Sequence, residues 1–183
     1  DLPDFPKYPH ILKKNYRNSQ DIFATLKSYY KGESTTSEGP KGESVSYFIA
    51  PTREIAEKKI INLINKYIIN EGMDKKQIAI LTGNKLGTSS SILGNYLSKD
   101  FNGKKNDNLY FVKAEKNEED EIVFDSIKRF KGLEREIVIL FDLEDALENP
   151  EEMYIGLSRP KLILDIIGTE KNIEILNKIS EDV

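Results

Sequence analysis

Between Ser19 and Tyr30 the apolar residues Ile22, Phe23, Leu26 and Tyr29 recur at helical spacing, with Ser19 or Asn18 placed to cap the first turn. The pattern then stops. Lys31 to Ser44 is rich in Gly, Ser, Thr and Glu, has too little apolar surface to order itself, and is expected to be a flexible loop over 31–44. Beyond it, the apolar runs alternate in kind. Val45 to Ala50 predicts a strand, Arg53 to Asn70 a long helix and Gln77 to Thr82 another strand, which together make a β-α-β unit. A loop rich in Gly, Thr and Ser leads to a predicted helix from Ser90 to Lys99 and a short strand from Leu109 to Lys113. Glu121 to Ser126 and Glu136 to Asp142 are two more predicted strands, separated by a turn and a short helical piece. Leu162 to Ile167 is the last, ahead of a closing helix from Glu170 to Ile179. The alternation predicts one α/β domain over 1–183, a mostly parallel sheet with helices on both faces, preceded by an extended arm (1–11) that holds Pro3, Pro6 and Pro9. Sheets of this kind bind ligands at the carboxyl ends of their strands, so the chemistry is expected there.

Composition narrows the partners. With 27 basic and 31 acidic residues the net charge is -4, which gives no global electrostatic case for nucleic acid, so any polyanion contact has to be local. There is no cysteine and a single histidine, His10, which excludes a disulfide framework, a thiolate metal site and a multi-histidine cluster. No apolar run approaches membrane-spanning length and no charged-then-apolar leader opens the chain, so a cytoplasmic setting without membrane contact is expected. The first residue is Asp1 rather than Met, which suggests a piece of a longer polypeptide.

Chemistry concentrates in three segments. The first runs from Ser126 through Lys128, Arg129, Lys131, Gly132, Leu133 and Glu134 into the apolar strand Ile137-Val138-Ile139-Leu140. A strand ends, a basic turn opens, a glycine permits close backbone approach, and a carboxylate stands at the start of the next element; that arrangement suits a phosphate or a ribose. The simpler local reading is a turn-forming Gly132 beside a solvated Glu134. The second is Tyr154-Ile155-Gly156-Leu157-Ser158-Arg159-Pro160-Lys161, where Arg159 offers a permanent, forked charge. The third is Leu12-Lys13-Lys14-Asn15-Tyr16-Arg17-Asn18, an aromatic face beside a fixed cation just ahead of a helix.

In this order the segments resemble motifs V, VI and IV of the UvrD/Rep-type superfamily-one helicases, and they span Leu12 to Lys161. Motif V of that family reads Thr-x-His-x-x-Lys-Gly-Leu-Glu; here Ser126 stands for the threonine and Lys128 for the histidine, and a lysine meets a phosphate but does not stack as an imidazole does. The resemblance implies the C-terminal RecA-like motor domain of an ATP-dependent DNA helicase or translocase. It implies that Arg17 and Arg159 act on the γ-phosphate, that Tyr16 stacks on adenine, and that Gly132 and Glu134 belong to the nucleotide site, with Glu134 on the ribose. Ser126 and Lys128 would lie near single-stranded DNA. Thr82, Asn84 and Lys85, after the strand from Gln77, could touch a nucleic-acid backbone, although Thr-Gly-Asn after a strand is also an ordinary turn.

No Gly-x-x-x-x-Gly-Lys-Ser/Thr loop occurs in the chain, and Gly83-Asn84-Lys85-Leu86-Gly87-Thr88 lacks the required ending. The family likeness therefore implies that an N-terminal RecA-like domain of the same parent brings the phosphate loop and Mg²⁺, and that this chain alone hydrolyses no ATP. Pro51-Thr52-Arg53-Glu54-Ile55-Ala56 looks like a superfamily-two motif but reads on its own terms as a strand end and an acidic helix start. Two alternatives stay open. One is a non-catalytic RecA-like module that binds protein through Lys31 to Ser44 or the acidic Glu144 to Glu152 stretch; the other is the motor part of a nuclease-helicase fusion.

Overall fold

A computed structural model describes residues 13–29, 35–41, 44–84, 109–117 and 120–181. The extended arm, the Ser90 to Lys99 helix and Lys85 lie outside the described residues.

Six strands make the main sheet: β3 (Val45–Ile49), β4 (Ile78–Thr82), β5 (Phe111–Val112), β6 (Ile122–Ser126), β7 (Arg135–Phe141) and β8 (Pro160–Gly168). Their order across the sheet is β3-β8-β7-β4-β6-β5, and every pairing is parallel. The predicted α/β architecture is therefore the observed one. Strands buried on both faces have no polar side to alternate with, which is why β4 and most of β6 and β7 are unbroken apolar runs.

Alternate residues sort into two cores. Ala79, Leu81, Val123, Val138, Leu140, Leu164 and Ile166 face α1 (Gln20–Lys27), α4 (Pro150–Leu157) and α5 (Glu170–Glu181). Ile78, Ile80, Ile122, Phe124, Ile137, Ile139 and Phe141 face α2 (Arg53–Asn65), which brings Ile60, Leu63 and Ile64. Beyond Asn65 the helix widens into a π-turn, Lys66–Asn70, and the wider turn carries Tyr67 to the sheet, where its hydroxyl donates to Asp165 at 2.6 Å. Burial raises the pKa of both groups above their ordinary values.

One reading of the sequence is corrected. The segment after α1 is not wholly a free loop: β2 (Thr36–Ser37) pairs in parallel with β1 (Lys14–Asn15), Lys14 meets Glu38 at 3.1 Å, and Gln20 N donates to Pro40 O at 2.9 Å. Backbone pairing to a neighbouring strand orders a stretch whose own side chains supply little apolar burial. The acidic stretch after β7 is helical, as α3 (Glu144–Leu147) and α4. Asn149 caps α4 by accepting from Glu152 N at 3.3 Å, with Pro150 in the first turn.

Candidate functional site

The three resembling segments meet at the amino ends of β7 and β8. The register explains why. β3 begins opposite Leu164, so the first residues of β8, from Pro160 to Ile163, have no β3 partner. The loop before α1 fills that edge: Ser19 N donates to Lys161 O at 3.2 Å, and Asn18 Nδ2 donates to Pro160 O at 2.6 Å and to Ser158 O at 3.3 Å. Asn18 is buried, and Asn15 closes the turn by accepting from Arg17 N at 2.9 Å and from Asn18 N at 3.1 Å. Gly39 presses on the same turn so closely that a Cβ there would lie 1.9 Å from Asn18 O. One buried amide thus ties the loop that carries Arg17 to the backbone on either side of Arg159.

Around that tie the charged groups converge. Glu134, just before β7, has Lys161 Nζ 3.0 Å from Oε1 and Arg17 Nε 3.4 Å from Oε2. The hydrogen bond from Lys161 outweighs the desolvation that opposes it and, with the charges of Lys161, Arg17 and Arg159, lowers the Glu134 pKa, so the carboxylate is ionised at neutral pH. Arg159 is half-buried and its pKa is lowered, first by desolvation and then by Arg17; an arginine still stays charged, but the direction marks two like charges held close together. Its Nε donates to Ile155 O at 3.0 Å, Nη1 to Leu133 O at 3.2 Å and Nη2 to Ser158 Oγ at 2.9 Å. A guanidinium carries five N–H donors, so the terminal nitrogens keep capacity for a ligand. Tyr16, next to Arg17 in the chain, has 66% of its surface exposed, an unusual position for a tyrosine that belongs to a core. The Arg17–Glu134 pair is about half exposed on each side, and pairs of that kind contribute only ~0–1 kcal/mol, so a stronger ligand can break it.

These residues are not at the carboxyl ends of the strands: Glu134 and Arg159 precede β7 and β8, and Lys161 is near the start of β8. Gly132 has a φ of +93°, a turn conformation that strains any L side chain, and no other protein atom lies within 4 Å of a Cβ built on it.

The remaining candidates lie at the other end of the sheet. Thr82, Ser126 and Phe141 stand at one level in the strand register, whereas Glu134 precedes the first residue of β7. At roughly 3.3 Å per residue, that puts Ser126 and Glu134 about 20 Å apart along the strand direction. The connection between them crosses the sheet with Ile127 and Phe130 buried in the first core. Lys128 is exposed and pairs with buried Glu152 at 3.0 Å. Thr82 is buried, its hydroxyl accepts from Asn84 N at 3.2 Å, and Asn84 Oδ1 accepts from Asp145 N at 3.3 Å, so both serve a turn that caps α3. The local reading of Thr-Gly-Asn as a turn accounts for these contacts.

A cleft of about 240 Å³ also opens at the carboxyl end, lined by Pro51, Thr52, Arg53, Asp142, Glu144 and Thr169 among others. Arg53 Nη1 lies 3.0 Å from Asp142 Oδ2, an ion pair whose angles do not make a hydrogen bond, and Arg53 Nε donates to Glu57 at 3.0 Å. Among the described residues no group of three or more His, Asp or Glu is arranged to hold a metal ion, and no helix is long and apolar enough to cross a membrane.

No family model matches the chain, and no curated protein matches it. Among solved structures, the C-terminal domain of a possible DNA helicase from Lactobacillus plantarum WCFS1 superposes with a TM-score of 0.57, over 84% of this chain and 87% of that one, at 16% identity. The chain has the fold of that helicase domain. Within this fold, sequence reasoning missed two residues of the cluster. Lys161 was visible as the last residue of its motif but without a role, and nothing local to Asn18 signals a bond to residues 140 and 142 positions away.

Proposed function

We propose that this chain is the C-terminal motor domain of an ATP-dependent DNA helicase or translocase of the UvrD/Rep superfamily-one type, and that the amino edge of β7 and β8 is its half of the ATP site. The observation that carries the reading is the gathering of Arg17, Glu134 and Arg159, from three distant segments, with an exposed Tyr16 next to Arg17 in the chain. Two guanidinium groups suit a triphosphate, an aromatic face suits adenine, and a carboxylate suits the sugar hydroxyls. Phosphoryl transfer asks for charge neutralisation more than covalent chemistry, and the arginines supply it. The phosphate loop and Mg²⁺ come in this reading from an N-terminal RecA-like domain of the same parent, which closes on this edge.

Single-stranded DNA would run past the opposite end, near Ser126 and Lys128, with Asn84 and Thr82 of the neighbouring turn at its margin. The connection from Ser126 to Glu134 joins the two ends through a packed segment, so closure at the nucleotide is felt at the DNA. A second reading, the RecA-like module that binds protein without catalysis, draws on the three bonds by which Arg159 holds its own backbone and neighbours.

The two separate in one assay. The full-length parent is expected to hydrolyse ATP faster when single-stranded DNA is added, while residues 1–183 alone show no turnover. A parent with no nucleotide hydrolysis under any DNA condition would leave the protein-binding module as the better account.

A further inference from the structure

We propose that Lys161 is a positioning residue of this edge: it is the fixed counter-ion of Glu134, keeping the carboxylate set for a sugar diol while Arg17 is released to phosphate. The inference rests on the reading of this edge as a nucleotide site and assigns a residue to which that reading gave no role.

The two cations on Glu134 are not equivalent. Lys161 approaches at 3.0 Å from within β8, and its backbone is fixed by Ser19 N on Lys161 O at 3.2 Å and by Asn18 on the neighbouring Pro160 O at 2.6 Å. Arg17 approaches at 3.4 Å from an exposed loop. Glu136 lies 3.7 Å from Lys161, so this ammonium sits between two carboxylates and has no pull to leave them. A triphosphate brings several negative charges and forked acceptors, and competes well for the loosely held Arg17. Glu134 then keeps Lys161 on one oxygen, and the lone pairs of the other become available to hydroxyl donors. Without Lys161 the carboxylate would have Arg17 as its nearest cation and would hold it back from phosphate, so a single loss weakens both the sugar and the phosphate contacts.

The test titrates the full-length parent with Mg·ATP and with Mg·2′,3′-dideoxy-ATP while the Arg17 Nε and Glu134 Cδ resonances are followed by NMR. Wild type is expected to shift both resonances and to prefer ATP. Lys161→Met is expected to bind ATP about tenfold more weakly, the scale of one lost charge-assisted contact, and to lose the preference for the intact sugar. Lys161→Arg should keep both, which a merely structural role for the side chain would not require. Lys161→Gln, should methionine disturb the strand, is expected to show the same loss. Binding by Lys161→Met or Lys161→Gln with wild-type affinity and wild-type sugar preference overturns the role of Lys161 alone. Wild-type resonances that ignore ATP overturn the nucleotide reading and this inference with it.

Discussion

Arg159→Ala in the ATP-hydrolysing parent is expected to lower kcat by about a thousandfold or more, the scale on which an arginine that stabilises transferring phosphate acts. The substitution also removes bonds to Ile155 O, Leu133 O and Ser158 Oγ, each contributing about 0.5–1.5 kcal/mol net, so some loss of stability accompanies it. Rate and stability therefore have to be read separately. Arg159→Lys keeps the charge but not the planar fork, and an ammonium on a flexible stem does not reproduce bidentate contact with phosphate oxygens. We expect Arg159→Lys to stay folded by circular dichroism and urea titration, and still to lose most of kcat. Recovery of turnover with lysine in proportion to recovered stability would assign Arg159 to the end of α4 and not to phosphate.

The largest effect on stability is expected at Phe124. It is fully buried on the α2 side of the sheet, with the Phe111 ring 6.0 Å away at 74° and the Phe141 ring 6.1 Å away, and Lys113 Nζ stands 5.3 Å from its centroid. Phe124 thus joins edge strand β5 to the middle of the sheet. Phe124→Ala removes the shared ring of that stack and leaves a cavity among β-strand backbones that cannot collapse into it. The expected cost is about 3–5 kcal/mol, a large share of the ~5–15 kcal/mol that holds a domain folded. Equilibrium urea unfolding would register it as a lowered midpoint at nearly unchanged slope. A shift below about 1 kcal/mol would mean that β5 and β6 do not pack as described.

The strands were legible because burial on both faces forces continuous apolar runs, and Val138 to Phe141 or Ile78 to Leu81 admit few other readings. The helix at Glu170 and the Ser19 cap were legible from spacing and from a side chain that accepts from Ile22 N. α4 was not anticipated, although Asn149-Pro150 is an ordinary helix opening, because charge in Glu144 to Glu152 masked the apolar contacts of Met153 and Leu157. The ordering of 35–41 was hidden for a different reason: its partners, Lys14 to Asn18, belong to another segment, and a two-residue strand has no periodicity to read.

The site was partly legible. Arg17, Glu134 and Arg159 were singled out because their segments resemble helicase motifs, and the fold brings them to one edge. That the Arg17 loop docks at this edge depends on the register between β3 and β8, which leaves the start of β8 open for the Asn18 loop. Register is set by packing across the whole sheet, so no local pattern announces it. For the same reason the roughly 20 Å between Ser126 and Glu134 could not be read from the seven intervening positions in a single motif.

The central claim, that the amino edge of β7 and β8 receives nucleotide, is met most directly by a structure of the full-length parent with Mg²⁺ and a non-hydrolysable ATP analogue. The account predicts the γ-phosphate within hydrogen-bonding distance of Arg17 and Arg159, Tyr16 against adenine and Glu134 on the sugar. Nucleotide held instead in the cleft of Arg53 and Asp142 at the carboxyl end, with the Arg17–Glu134 pair intact, would contradict it.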